Sequence, residues 1–89
     1  MFGANDMLAV GAMVCARDAG LSVPGDIAIA GFDDIPAAKL LGLTTVRQPE
    51  ADLGALAART LIGRLSPGGL KPRGQSLGLK FEIVKRSSA

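Results

Sequence analysis

Two short polar pairs, Asn5-Asp6 and Asp33-Asp34, are where this chain gathers side chains able to hold a small polar molecule. A carboxylate accepts hydrogen bonds from two hydroxyls at once, and a carboxamide both donates and accepts, so the two together suit a neutral polyol. Asn5 follows the short stretch Phe2-Gly3-Ala4, and Asp33 follows the apolar run Ile27–Phe32. Each is the first polar residue after such a stretch, so Asn5 and Asp33 are expected to touch ligand. Asp6 and Asp34 stand where helices begin and are expected to serve as caps. Other chemistry is poorly provided for. Adjacent carboxylates aim apart, which argues against a hydrolytic pair. The chain has no histidine and one cysteine, so the commonest general base, the commonest metal ligand and an internal disulfide are all excluded. Ser66, Ser76, Ser87 and Ser88 have no recognisable activating partner. Gly68-Gly69 and Gly74 precede no helix that could hold a phosphate. The reading is a binding module, not an enzyme, with no metal and no cofactor.

The elements that must place these residues follow from spacing. From Asn5 to Gly20 apolar residues recur at helical intervals, Met7/Leu8, Gly11/Ala12 and Cys15/Ala16 on one row and Val10, Met13 and Val14 on another. Such a helix has almost no polar side before Arg17 and must be covered on both faces. The second cover is expected to be another copy of the chain, meeting Val10, Met13 and Val14 together with residues 36–42, Leu40 and Leu41 among them. Cys15 reads as a small core residue. Ile27–Phe32, apolar without alternation, fits a parallel strand buried on both faces. A short helix is expected over Pro36–Leu41 and a β segment over Leu43–Arg47. A longer helix should begin at Pro49, with Glu50 and Asp52 in its first turn, carry the stripe Leu53, Leu56, Ala57, Thr60, Leu61 and Leu65, and stop at Pro67-Gly68-Gly69. From Leu77 the period becomes two, with Leu77, Leu79, Phe81 and Ile83 on one face of a half-buried strand. The order β-α-β-(α)-β-α-β predicts an open, mostly parallel α/β sheet. At 89 residues the expectation is one small domain with a thin core.

Charge is unevenly placed. Residues 1–46 carry five carboxylates against Arg17 and Lys39, while Lys71, Arg73, Lys80, Lys85 and Arg86 oppose only Glu82 near the end. Without Trp or Tyr to stack on bases, that basic stretch reads as a solvated face and not as a nucleic-acid groove. No stretch approaches the roughly 20 apolar residues of a membrane span, and the first residues do not resemble a signal peptide. The expected location is a reducing cytoplasm.

Five segments occur in a familiar order: Ala4-Asn5-Asp6-Met7-Leu8-Ala9-Val10-Gly11-Ala12, Gly20–Ile27, Gly31-Phe32-Asp33-Asp34-Ile35-Pro36, Leu43-Thr44-Thr45-Val46-Arg47-Gln48-Pro49 and Ile83–Ala89. Together they resemble the C-terminal end of the effector-binding domain of lactose/galactose-repressor (LacI/GalR-type) bacterial transcription regulators. The resemblance implies a partial C-terminal subdomain of the kind seen in periplasmic sugar-binding proteins. It implies a small effector, usually a sugar or nucleobase, reached by Asn5, Asp33 and Gln48, and a dimerisation helix starting at Asp6. It also implies that operator DNA is bound only through an N-terminal domain with no counterpart among these residues, so the chain reads as a fragment of such a regulator. A fragment of a periplasmic sugar-binding protein is the alternative, and Leu-Thr-Thr-Val-Arg-Gln-Pro and Val-Lys-Arg-Ser-Ser-Ala favour the regulator.

Overall fold

The structure is a computed structural model that describes residues 1–68 and 80–89. Within these 89 residues the chain forms two compact units, Met1–Gln48 with Phe81–Ala89 and, separately, Pro49–Lys80.

The first unit is organised around Ile27–Gly31. This segment runs extended between two neighbours, with Ala30 bridged in parallel to Phe2 on one side and to Thr44 on the other. Gly3 N–H donates to Ala30 O at 2.8 Å, Gly31 N–H to Thr44 O and Asp33 N–H to Val46 O, each at 2.9 Å. The chain continues from Thr44 into β1 (Thr45–Arg47), which pairs antiparallel with β2 (Glu82–Val84) in the register Thr45↔Val84, Val46↔Ile83, Arg47↔Glu82. The parallel arrangement expected from the apolar run is present, with an antiparallel strand at one edge.

Helix α1 (Asp6–Asp18) and helix α2 (Pro36–Leu41) complete the unit. Ala9, Met13 and Ala16 on α1 pack with Ile29, Ala38 and Leu43 to make the core. The small side chains let α1 lie close to the sheet. A Cβ on Gly3 would stand 2.8 Å from the Ala9 nitrogen, so only glycine lets the first strand pass the helix. α2 keeps the expected bounds, ending at Gly42 in left-handed backbone (φ 68°).

The outward faces differ from expectation in three places. Met13 is 2% exposed and belongs to the core, so it cannot join Val10 and Val14 in meeting a second copy. The reason is rotational: Ala9, Met13 and Ala16 form one row, which leaves Met7, Leu8, Val14 and Cys15 on the outside. Cys15 is correspondingly exposed, not a core residue. Phe81, just before β2, and Ile83 on it are exposed, so the described part of the face expected to be half-buried is bare in this chain. Leu77 and Leu79, like Gly69, Gly74, Ser76, Lys71 and Arg73, lie outside the described residues.

Residues 86–89 fasten the far end of the sheet. Ser88 is buried; its hydroxyl accepts from Thr44 N–H at 2.8 Å and donates to Ile29 O at 2.5 Å, while Ile29 N–H donates to Ser88 O at 2.9 Å. Thr44 Oγ1 accepts from Arg86 N–H at 2.8 Å and donates to Arg86 O. Polar groups that would be orphaned between two strands are thereby satisfied.

The second unit carries α3 (Glu50–Leu65). Pro49 stands just before the helix instead of in its first turn, and Glu50 and Asp52 place negative charge at the positive end of the peptide dipoles. None of its sixteen residues is buried. Of the expected stripe, Leu56 and Thr60 are half-covered, and Leu53, Ala57, Leu61 and Leu65 are exposed.

Candidate functional site

The parallel arrangement brings both polar pairs to one end of the first unit. Asp6 N–H donates to Phe32 O at 2.9 Å, so the start of α1 lies against the end of the apolar segment. From there the chain turns through Asp33 (φ 120°) and Asp34 (φ 55°), two non-glycine residues in left-handed backbone. Each such residue costs of the order of 1–3 kcal/mol and persists only where its surroundings enforce it.

β1 and α1 do so. β1 receives Asp33 N–H at Val46 O and Asp34 N–H at Thr45 Oγ1, 3.3 Å away. The Thr45 hydroxyl in turn donates to Asp6 Oδ1 at 2.6 Å, and Asp6 Oδ2 accepts from Ile35 N–H at 2.9 Å. Asp6, with 0% of its surface exposed, is thus a buried tie between α1, the turn and β1, not a helix cap. Space for its carboxylate comes from Gly31, where any Cβ would collide with Asp6 Oδ1.

The cap is Asn5 instead. Its Oδ1 accepts from Leu8 N–H at 2.9 Å, which satisfies one of the helix's open donors. Asn5 is nevertheless exposed, and its NH2 group retains donors to offer a ligand.

Asp33 and Gln48 come together: Gln48 Nε2 donates to Asp33 Oδ1 at 3.1 Å. The carboxylate is partly buried and held stiff by its backbone. Asp34 turns the other way. The N-cap of α2 is Ile35 and makes no side-chain capping bond, so Asp34 does not cap that helix. Its two oxygens instead divide between guanidiniums, Oδ2 to Arg47 Nε at 2.7 Å and Oδ1 to Arg86 Nη2 at 2.8 Å. Arg47 reaches on to Glu82 across the β1–β2 pair at 3.0 Å, and Arg86 donates from Nη1 to Leu43 O at 3.0 Å. Asp34 and Arg86 are 11% and 16% exposed, so their attraction is less screened than the open Arg47–Glu82 pair. No sequence signal at Asp34 revealed this, because both cations come from distant segments.

The hydrogen bond from Arg47, opposed by partial burial and aided by Arg86, holds the Asp34 carboxyl below its ordinary value of 3.8, and Asp34 in turn raises Arg47. A lowered carboxyl stabilises the fold fully above the unfolded value and loses that contribution as pH falls through the lower folded value. Urea unfolding of the chain and of Asp34→Asn is therefore expected to differ most at neutral pH, the gap beginning to close as pH falls past 3.8 and closing only below the lower folded value. A gap that persists unchanged into strong acid contradicts this assignment.

The arrangement offers a carboxylate, two carboxamides and no nucleophile–base pair. Among the described residues no cluster of three or more His, Cys, Asp or Glu could hold a metal ion. It is suited to bind polar hydroxyls.

Residues 1–89 match the periplasmic binding protein-like domain family over their whole length. The chain is 39% identical over 88 residues to the lactose operon repressor of Rhizobium radiobacter, covering 97% of this chain and 75% of that protein. It is 41% identical over 91 residues to the ribose operon repressor of Escherichia coli K12, covering 100% of this chain and 27% of that one. Among solved structures, a LacI family transcriptional regulator from Arthrobacter sp. in complex with lactose superposes with a TM-score of 0.81 at 35% identity, covering 98% of this chain and 33% of that one. The chain spans about a quarter of the length of the ribose repressor and of similar regulators.

Proposed function

The chain belongs to the periplasmic-binding-protein-like domain family, in its LacI/GalR-type transcription-regulator branch, and on that premise we propose that it supplies one wall of a sugar-effector site and a self-association surface to a cytoplasmic repressor. The observation that carries the effector reading is the Asp33–Gln48 pair, two polar side chains held together at the sheet end by a strained turn. Asp33 accepts hydroxyls of the sugar, Gln48 lends an amide, and Asn5 donates from the start of α1. Lactose in the complex with the Arthrobacter regulator makes a sugar the effector class to test first. Regulators and repressors among the relatives favour this reading over a transport protein or an enzyme. No helix of the described residues is long and apolar enough to cross a membrane. Operator contact is not assigned to any residue of this chain.

The test is a chimera in which these residues replace the matching stretch of the E. coli ribose repressor. Calorimetry should show saturable heat with ribose or lactose, and none with an uncharged polymer of similar size. Absence of any sugar response in a folded chimera overturns the effector reading.

Self-association is carried by the outer side of α1, where Met7, Leu8 and Val14 are exposed and Val10 is half-covered, and by α2, where Leu40 is 86% exposed and Leu41 half-covered. Apolar side chains grouped in this way are costly to leave in water. Sedimentation at micromolar concentration should report a dimer or larger species. Val14→Glu should raise the dissociation constant at least tenfold, because a charge would be desolvated at the contact. A monomer at high micromolar concentration, or an unaffected variant, removes this surface from the proposal.

A further inference from the structure

The Asp33–Asp34 turn raises a question that ligand contact alone does not answer: what keeps two aspartates in left-handed backbone? Backbone donors fix its flanks, with Asp33 N–H on Val46 O and Ile35 N–H on the Asp6 carboxylate Oδ2. Asp34 N–H has only a 3.3 Å contact to Thr45 Oγ1. The strong restraint at the middle is the side chain, whose two oxygens are taken by guanidiniums from β1 and from the segment after β2.

We propose that Asp34 is the positioning residue of this site: clamped between Arg47 and Arg86, it holds the turn in its left-handed form and thereby aims the Asp33 carboxylate at Gln48 and at the ligand. Arg86 is itself anchored on Leu43 O and Arg47 on Glu82, so the clamp is braced from both sides. Each oxygen of Asp34 is held by a guanidinium, so the part assigned to it is to hold the turn. Its effect passes through the backbone to its neighbour. Only the final clause, the aim at the ligand, rests on the proposed sugar site; the aim at Gln48 does not.

The experiment is nuclear magnetic resonance on this 89-residue chain, following exchange of the Gln48 side-chain amide protons and the backbone couplings of residues 33 and 34. The variants are Asp34→Asn, Asp34→Gly and Arg47→Lys. Glycine at 34 adopts positive φ without strain, so it removes the clamp without penalising the turn. In the parent chain one Gln48 amide proton should exchange slowly. Asp34→Asn and Asp34→Gly should speed that exchange at least tenfold and shift the couplings of residue 33, while the Ile29 and Leu43 amides in the core stay protected. Arg47→Lys, which keeps the charge and loses the planar donor, should fall between. Should Asp34→Asn fail to fold, the other two variants decide. Unchanged Gln48 exchange and unchanged couplings in folded Asp34→Gly overturn the proposal.

A second arm titrates ribose and lactose into the ribose-repressor chimera. Asp34→Gly should weaken the bound sugar three- to tenfold without changing which sugar is preferred. If the unsubstituted chimera binds neither sugar, the effector reading fails while the Gln48 measurement still decides the positioning role.

Discussion

Asp6→Ala is expected to be among the most destabilising single substitutions in the chain, moving its urea midpoint sharply down. The carboxylate is fully buried and answers two donors, the Ile35 N–H and the Thr45 hydroxyl. Alanine leaves both unpaired beside an empty space, and each buried orphan costs about 1–3 kcal/mol. The expected loss is about 2–6 kcal/mol. Small domains are stable by roughly 0.05–0.15 kcal/mol per residue, about 4–13 kcal/mol for a chain of this length, so a loss at the upper end of that span takes a large share of the margin. Asp6→Asn, which keeps the volume and one acceptor oxygen, should cost less. Urea titration followed by circular dichroism separates the cases, and an Asp6→Ala variant within about 0.5 kcal/mol of the parent would contradict the role assigned to this residue. Gly31→Ala should resemble Asp6→Ala in kind, since the new methyl would take the carboxylate's place.

Asp33→Asn should weaken sugar binding by the chimeric repressor about 10- to 100-fold. One oxygen of Asp33 takes the Gln48 amide, and a carboxylate has further acceptor capacity for ligand hydroxyls. A hydrogen bond to a charged group contributes roughly 1.5–3 kcal/mol, against about 0.5–1.5 for a neutral one, and about 1.4 kcal/mol is tenfold in affinity. The left-handed turn reduces the freedom that binding would otherwise remove. Asn5→Ala should cost less affinity and some helix stability, since its Oδ1 also caps α1. Calorimetry gives the order directly: an Asp33→Asn chimera that binds as the parent does, while Asn5→Ala fails, would move the site to the helix start.

The residues that punctuate this sequence carried most of what could be read from it. Pro36 and Gly42 bracket α2, and Pro49 and Pro67 bracket α3, because a missing N–H or a left-handed turn acts locally and needs no partner. Ile27–Phe32 was legible as the central parallel segment for the same local reason, continuous apolarity without alternation. Facing was harder. α1 turns Ala9, Met13 and Ala16 inward because Asp6 anchors its first turn and small side chains allow close approach, and hydrophobicity alone ranks Met7 or Leu8 just as high for burial. The periodicity of α3 gave the helix correctly and its burial not at all, since a stripe does not say what covers it.

At the site, Asp33 could be found as the first polar residue past a buried segment. Gln48 entered only through family resemblance. Asp34 and Asp6 both read as caps in the sequence, because an acidic residue beside a helix start looks the same whether it bonds the helix's own N–H groups or groups from distant segments. Arg86 and Ser88 gave no local sign of their roles; their partners are separated from them by most of the chain.

Ser88 also dictates an order of events during synthesis. Its hydroxyl and backbone close the gap between Ile29 and Thr44, and Arg86 supplies half of the hold on Asp34. Until residues 86–88 have left the ribosome, a nascent chain can form α1 and the parallel segments, but their far end is open and its backbone donors are bonded only to water. Local helices form early and such long-range closures late. The unclosed edge is the vulnerable species, a template for pairing with another nascent chain on the same messenger. Slow translation through the stretch before residue 86 would lengthen that exposure, and faster translation through it would shorten it.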